Sequence, residues 1–279
     1  MKKRNMILFL FLLVGLFILN YPFISQWINR RSESRAVESY EKQTGILDEE
    51  KKSAMKQEAE IYNRELLEKQ TGVTDGFSGD IQRDNRYESL LNPSGDGIMG
   101  IVRIPKIQVQ LPVYHGTSEK VLKEGAGHLY GSSLPTGGAG THAVLSSHRG
   151  LPSKTLFTDL DQLTEGDLFF LDILGEEMAY RVDQILTVVP EETEALEIVP
   201  GKDYVTLITC TPYGINSHRL LVRGERISWE EKDKTPEKET AYGIWKWMKI
   251  LFVVSAVIIL AAGILLIAVP FMKKRRGGD

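Results

Sequence analysis

The chain has 279 residues, with 34 Lys and Arg against 37 Asp and Glu and a net charge of −3, so no basic surplus points to nucleic acid. Its one cysteine excludes an internal disulfide, and scattered carboxylates with a single thiol show no ligand spacing for a metal and no motif for a cofactor.

The first element is an apolar run over residues 6–24, behind Lys2, Lys3 and Arg4; another, 250–269, precedes Lys273, Lys274, Arg275 and Arg276. Each is long enough for a bilayer, whose hydrocarbon core of about 30 Å takes roughly 20 helical residues. Basic clusters at the outer ends predict a two-pass protein of the cell membrane, both termini cytoplasmic, the intervening domain on the extracellular face, and the lipid bilayer as a partner. Asn20-Tyr21-Pro22-Phe23 offers no small-residue cleavage site, so 1–25 reads as an anchor rather than a cleaved signal. The second span is 249–272, with a basic cytoplasmic tail at 273–279.

Residues 26–70 are rich in Glu, Lys, Arg and Ala and read as a helical stalk, solvated over most of its length, with Ile61, Leu66 and Leu67 available for packing. The turn formers of Thr71-Gly72-Val73-Thr74-Asp75-Gly76-Phe77-Ser78-Gly79-Asp80 open a surface loop over 71–97. From 98 to 228 short β-type runs recur, at 98–104, 107–113, 142–146, 167–173, 177–189, 204–209 and 219–227, with short helices near 119–124 and 192–197. This spacing predicts a mainly β domain, an antiparallel sheet closed into a barrel. Residues 229–248 are a charged linker into the second span.

Cys210 ends the apolar run Tyr204-Val205-Thr206-Leu207-Ile208-Thr209, and Arg219 follows after Thr211-Pro212-Tyr213-Gly214-Ile215, a turn that makes a hairpin of the two segments. A thiol at a strand end, a cation on the next strand and a histidine within reach meet the needs of acyl transfer through a thioester. His148 stands where 142–146 runs out into a loop, and an imidazole titrating near neutrality can pass the proton. A guanidinium can hold a developing oxyanion. His142 and His218 are alternative proton donors, Arg223 and Arg149 alternative cations, and His115 and His128 read as loop residues; spacing does not choose among them.

Thr206-Leu207-Ile208-Thr209-Cys210 is similar to the T-L-x-T-C signature of the sortases, the cysteine transpeptidases of Gram-positive cell surfaces, and the resemblance extends through His148-Arg149-Gly150 and on to Arg219-Leu220. It covers about residues 98–227 and implies a closed sortase β-barrel with Cys210 as nucleophile, His148 as proton donor and Arg219 on the substrate backbone and oxyanion. It also implies cleavage of a Leu-Pro-x-Thr-Gly-like sorting signal after Thr and transfer of the thioester to an amine. The second span, the charged stalk and Asp75-Gly76-Phe77 resemble the class C sortases, which build pili. The implied partners are pilin subunits bearing the signal and a pilin lysine acceptor, and Asp75 and Phe77 would form a lid over Arg219 and Cys210. Gly76 departs from the proline usual there and loosens the backbone. Two other readings remain at this level: attachment of surface proteins to a cell-wall amine, and a non-catalytic surface receptor.

Overall fold

The computed structural model describes residues 2–69, 85–151, 154–229 and 254. The chain divides into two units, Met1–Ile28 with Pro236–Asp279, and Asn29–Thr235. Two helices open it, α1 (Lys2–Ile46) and α2 (Glu49–Lys69), and a short α3 (Asn85–Ser89) precedes the sheet.

Among the described residues no helix is long and apolar enough to cross a membrane. This overturns the expected two-pass placement in the cell membrane with an extracellular domain. The apolar beginning of α1 is joined in one 45-residue helix to the charged sequence after Gln26, so the helix as a whole is not an apolar rod. The second expected span and the basic tail, apart from Val254, lie outside the described residues, as do nearly all of the 229–248 linker and the lid residues Asp75, Gly76 and Phe77.

The remaining elements are β1 (Ile98–Ile104), β2 (Val109–His115), α4 (Glu119–Glu124), β3 (Ala126–His128), β4 (Thr141–Ser146), β5 (Leu168–Ile173), β6 (Glu176–Val188), β7 (Asp203–Thr211) and β8 (His218–Ile227). The eight strands close into a barrel in the order β1-β2-β3-β4-β7-β8-β6-β5. The barrel was expected, but a wholly antiparallel one was not found: β2 with β3 and β4 with β7 run parallel. Strand β3 escaped sequence reading because Gly125 and Gly127 flank and interrupt it, and glycine weakens the β signal. Both are there for close approach, since a Cβ at Gly125 would lie 2.5 Å from Pro112 O and one at Gly127 2.3 Å from Gly116 O.

Strand β7 is buried from Tyr204 to Thr209 because both of its faces are covered. Val205 and Leu207 join the main core with Leu145 and Val222, while Ile208 packs with Val144, Leu196 and Leu221 in a second cluster. Each fully buried side chain of this kind contributes about 1.5–3 kcal/mol, so β7 is among the best anchored segments.

Helices α1 and α2 are not solvated throughout. Val37 and Tyr40 pack with Ile98 and Ile101, and the Tyr40 hydroxyl donates to Met99 O at 3.0 Å and accepts from Leu174 N at 2.9 Å. Burial raises the Tyr40 pKa far above the usual phenol range, so it stays a donor. On α2, Ala59, Tyr62 and Asn63 are buried, Leu66 packs on the core and Ile61 is exposed. Asn63 Oδ1 accepts from Leu134 N at 2.7 Å, while Nδ2 donates to Leu134 O at 2.9 Å and Thr136 Oγ1 at 3.0 Å. Replacing Asn63 with Ala strands a buried N–H and C=O, and equilibrium denaturation should show a loss of about 1–3 kcal/mol. A loss near zero would mean that α2 contributes no anchoring there.

Candidate active site

The rim that carries the predicted residues is built by backbone pairing. Parallel β4 and β7 match Leu145 to Leu207 and Ser146 to Ile208. The pairing continues one residue further: Ser147 N donates to Ile208 O at 3.1 Å, and Thr209 Oγ1 donates to Ser147 O at 2.9 Å. His148 therefore leaves β4 at the level of Cys210. On the other side of β7, antiparallel β8 sets Arg219 opposite Cys210 and His218 opposite Thr211. The hairpin closes over residues 212–217, where Pro212 O accepts from Ile215 N at 3.1 Å and Asn216 N at 2.9 Å. Gly214 and Asn216 take positive φ in that turn, the conformation these two residue types tolerate best.

The loop after His148 is pinned. His148 O accepts from Phe157 N at 3.2 Å, and Gly150 N donates to Thr158 Oγ1 at 3.1 Å. Gly150 has φ +80°, and the Tyr213 ring lies 2.9 Å from where its Cβ would stand, so only glycine suits the position. Arg149, its side chain 9% exposed, donates to Thr211 Oγ1 at 3.1 Å and pairs with Asp161, tying the exit of β4 to the end of β7. Arg223 is bound bidentately by Asp183 and lies 4.2 Å over the Tyr204 ring. Both alternative arginines are thus engaged structurally, and Arg219 is the one registered with Cys210. Its Nη1 donates to Asn216 O and His218 O, each at 3.2 Å, which holds the guanidinium at the strand end. Cys210 is a half-buried residue rather than a core one.

The five histidines separate by environment. His142 Nδ1 bonds Glu197 O at 2.8 Å and Nε2 bonds Thr206 Oγ1 at 2.7 Å, and burial lowers its pKa to about 4. His115 and His128, expected in loops, end β2 and β3 and are buried around Tyr87. The Tyr87 hydroxyl bonds His128 Nδ1 at 2.9 Å, His128 Nε2 bonds Ser133 O at 2.8 Å, and burial lowers the His128 pKa to about 4. The sequence conceals this because the partners are contributed by distant segments. His115 bonds Leu90 O at 2.7 Å and Gly97 O at 3.0 Å. His218 bonds its neighbour Ser217 at 2.8 Å. His148 Nε2 makes no hydrogen bond and lies 3.3 Å from Glu119 Oε2, close enough for an ion pair but misaligned for a hydrogen bond. Sequence reading placed Glu119 at the start of a short helix and missed its proximity to His148, for which no local signal exists. No group of metal-ligating side chains gathers among the described residues.

Because His128 and His142 are held neutral in the fold but take up protons near pH 6.5 when unfolded, acid favours the unfolded chain. Their stability contribution is complete above about pH 6.5 and is lost as pH falls to about 4, by up to about 3 kcal/mol each. Denaturant titrations across that window should show the decline; flat stability would mean that both rings protonate freely in the folded protein.

A model of the sortase domain matches residues 102–227. A curated sortase A of Bacillus anthracis is 33% identical over 135 residues, 48% of this chain and 62% of that protein, and one of Streptococcus agalactiae is 31% identical over 147, 52% and 56%. The matches thus span less than two thirds of these two relatives. Among solved structures, a mutant of sortase C-1 from S. pneumoniae is 42% identical with TM-score 0.64, covering 70% of this chain and 98% of that one. Sortase C1 of S. agalactiae is 47% identical with TM-score 0.65, covering 70% and 100%.

Proposed function

The chain belongs to the sortase family, and from that premise we propose that it is a class C cysteine transpeptidase that joins pilin subunits. The observation that carries this reading is the meeting of His148, Cys210 and Arg219 at one barrel rim, through the β4–β7 and β7–β8 registers.

Chemically, Cys210 attacks as the thiolate on the threonine carbonyl carbon of a Leu-Pro-x-Thr-Gly-like signal. Arg219, oriented by the carbonyls of Asn216 and His218, meets the negative charge on the substrate oxygen as the tetrahedral intermediate forms. His148 protonates the departing amine, and a thioester remains on Cys210. Attack by a pilin lysine then gives an isopeptide bond between subunits and releases the thiolate. Amine wins over water only where it is positioned, since orientation rather than bulk concentration sets the rate of such a step. The pilin partner is supported by the likeness to the class C structures, at 42–47% identity in the two described. In this reading Asp75 and Phe77 shield Arg219 and Cys210 until substrate displaces them, a role supported by their place in sequence alone.

Intact-protein mass after incubation with a sorting-signal peptide tests the core of the proposal. The parent chain should gain an acyl adduct, Cys210→Ala none, and Arg219→Lys should form it about 100-fold more slowly, since a point charge does not reproduce the planar fork. An adduct on the Cys210→Ala chain would sink the assignment. Replacing Asp75 and Phe77 together with Ala should speed alkylation of Cys210 by a small thiol reagent; unchanged kinetics would remove the lid from the mechanism.

A further inference from the structure

Glu119 lies in the first turn of α4, outside every motif that marks the rim. Its carboxylate is divided between two basic side chains: Oε1 is 2.9 Å from Lys123 Nζ and Oε2 is 3.3 Å from His148 Nε2. Lys123 first, and His148 after it, keep Glu119 below the usual carboxylate range, so it is an anion at neutral pH. The helix itself is fastened to the exit of β4. Ser118 caps it by accepting from Val121 N, Gly125 N returns to Val121 O at 3.0 Å, and Ser147 Oγ donates to Gly125 O at 2.8 Å. Ser147 is the residue before His148, so α4 and His148 are tied to one another through a single buried hydroxyl. The His148 side chain is 23% exposed and its Nε2 is buried, with Glu119 as the one carboxylate within ion-pair range among the described residues.

We propose that Glu119 is a positioning residue for His148, its carboxylate facing the Nε2–H at ion-pair distance and leaving Nδ1 to carry the proton that moves in catalysis. The inference rests on the catalytic reading of His148. In the first step the bond from Cys210 Sγ to the carbonyl carbon forms, the scissile carbon–nitrogen bond breaks, and the Nδ1 proton goes to the leaving amine. The neutral ring keeps its Nε2–H toward Glu119. In the second step the incoming amine bonds to the same carbon, its proton passes to Nδ1, and Cys210 leaves as the thiolate. A ring free to flip would present either nitrogen to the substrate; a fixed acceptor on one side removes that ambiguity. Glu119 is itself 66% exposed, which limits the size of the effect.

The test uses the full chain labelled with 15N-histidine, in parent, Glu119→Ala, Glu119→Asp and His148→Ala forms. Glu119→Ala should lower kcat for acyl-enzyme formation by about threefold, with KM for the sorting peptide changed by less than about twofold. The His148 imidazole 15N resonances, assigned by their absence in His148→Ala, should shift toward a larger share of Nδ1–H tautomer, and Glu119→Asp should restore part of both effects. Unchanged kcat and unchanged His148 resonances in Glu119→Ala, with His148→Ala inactive, would overturn the inference while leaving the catalytic reading intact. An active His148→Ala would instead sink the catalytic reading, and this inference with it.

Discussion

The structure turns on the parallel pairing of β4 with β7. Parallel neighbours end at the same side of a sheet, so two segments separated by more than fifty residues of chain deliver their C-terminal ends to one rim. The antiparallel return of β8 then brings a third side chain to that rim from the opposite direction. Had β4 and β7 run antiparallel, His148 and Cys210 would lie at opposite ends of the barrel, and neither the T-L-x-T-C resemblance nor the histidine motif would describe a site.

A site assembled by register demands that register not slip. A one-residue shift of β7 would exchange its faces, taking Leu207 out of the main core and driving the Cys210 side chain to the other side of the sheet. The two apolar clusters that clamp β7 from both faces oppose this. Beyond the register, specific polar contacts continue the constraint into irregular chain: Ser147 to β7, Arg149 to Thr211, and Tyr213 against Gly150. The loop bearing His148 is thereby attached to the strand bearing Cys210 by several independent contacts, which is the preorganisation that the proposed two-step acyl transfer requires.

The approach of the helices to the barrel shows why a charged sequence is a poor guide to exposure. Residues 26–69 carry so many Glu, Lys and Arg that an apolar stripe is hard to discern, yet Tyr40 and Asn63 bury polar atoms against barrel backbone. Their value lies in satisfying carbonyl and amide groups that the barrel leaves open, a property of the partner surface that is not written in the helix. The same blindness affected His115 and His128, whose burial follows from Tyr87 and the Leu90 and Ser133 carbonyls rather than from their neighbours in sequence.

What the sequence determined by itself is local: the strands that alternation and apolar runs mark out, the short helix at Glu119–Glu124, the hairpin turn after Cys210, and a family resemblance carried by contiguous motifs. Each of these depends on residues within a few positions of one another, where propensity and spacing act directly. Tertiary structure decided the rest. It made two pairings parallel, inserted β3 where glycines permit close approach, and packed α1 and α2 on the barrel. It also engaged Arg149 and Arg223 with carboxylates while setting Arg219 beside Cys210, and put Glu119 against His148. These outcomes rest on contacts between segments distant in the chain, whose energies depend on barrel closure and register, and no local pattern of residues encodes either.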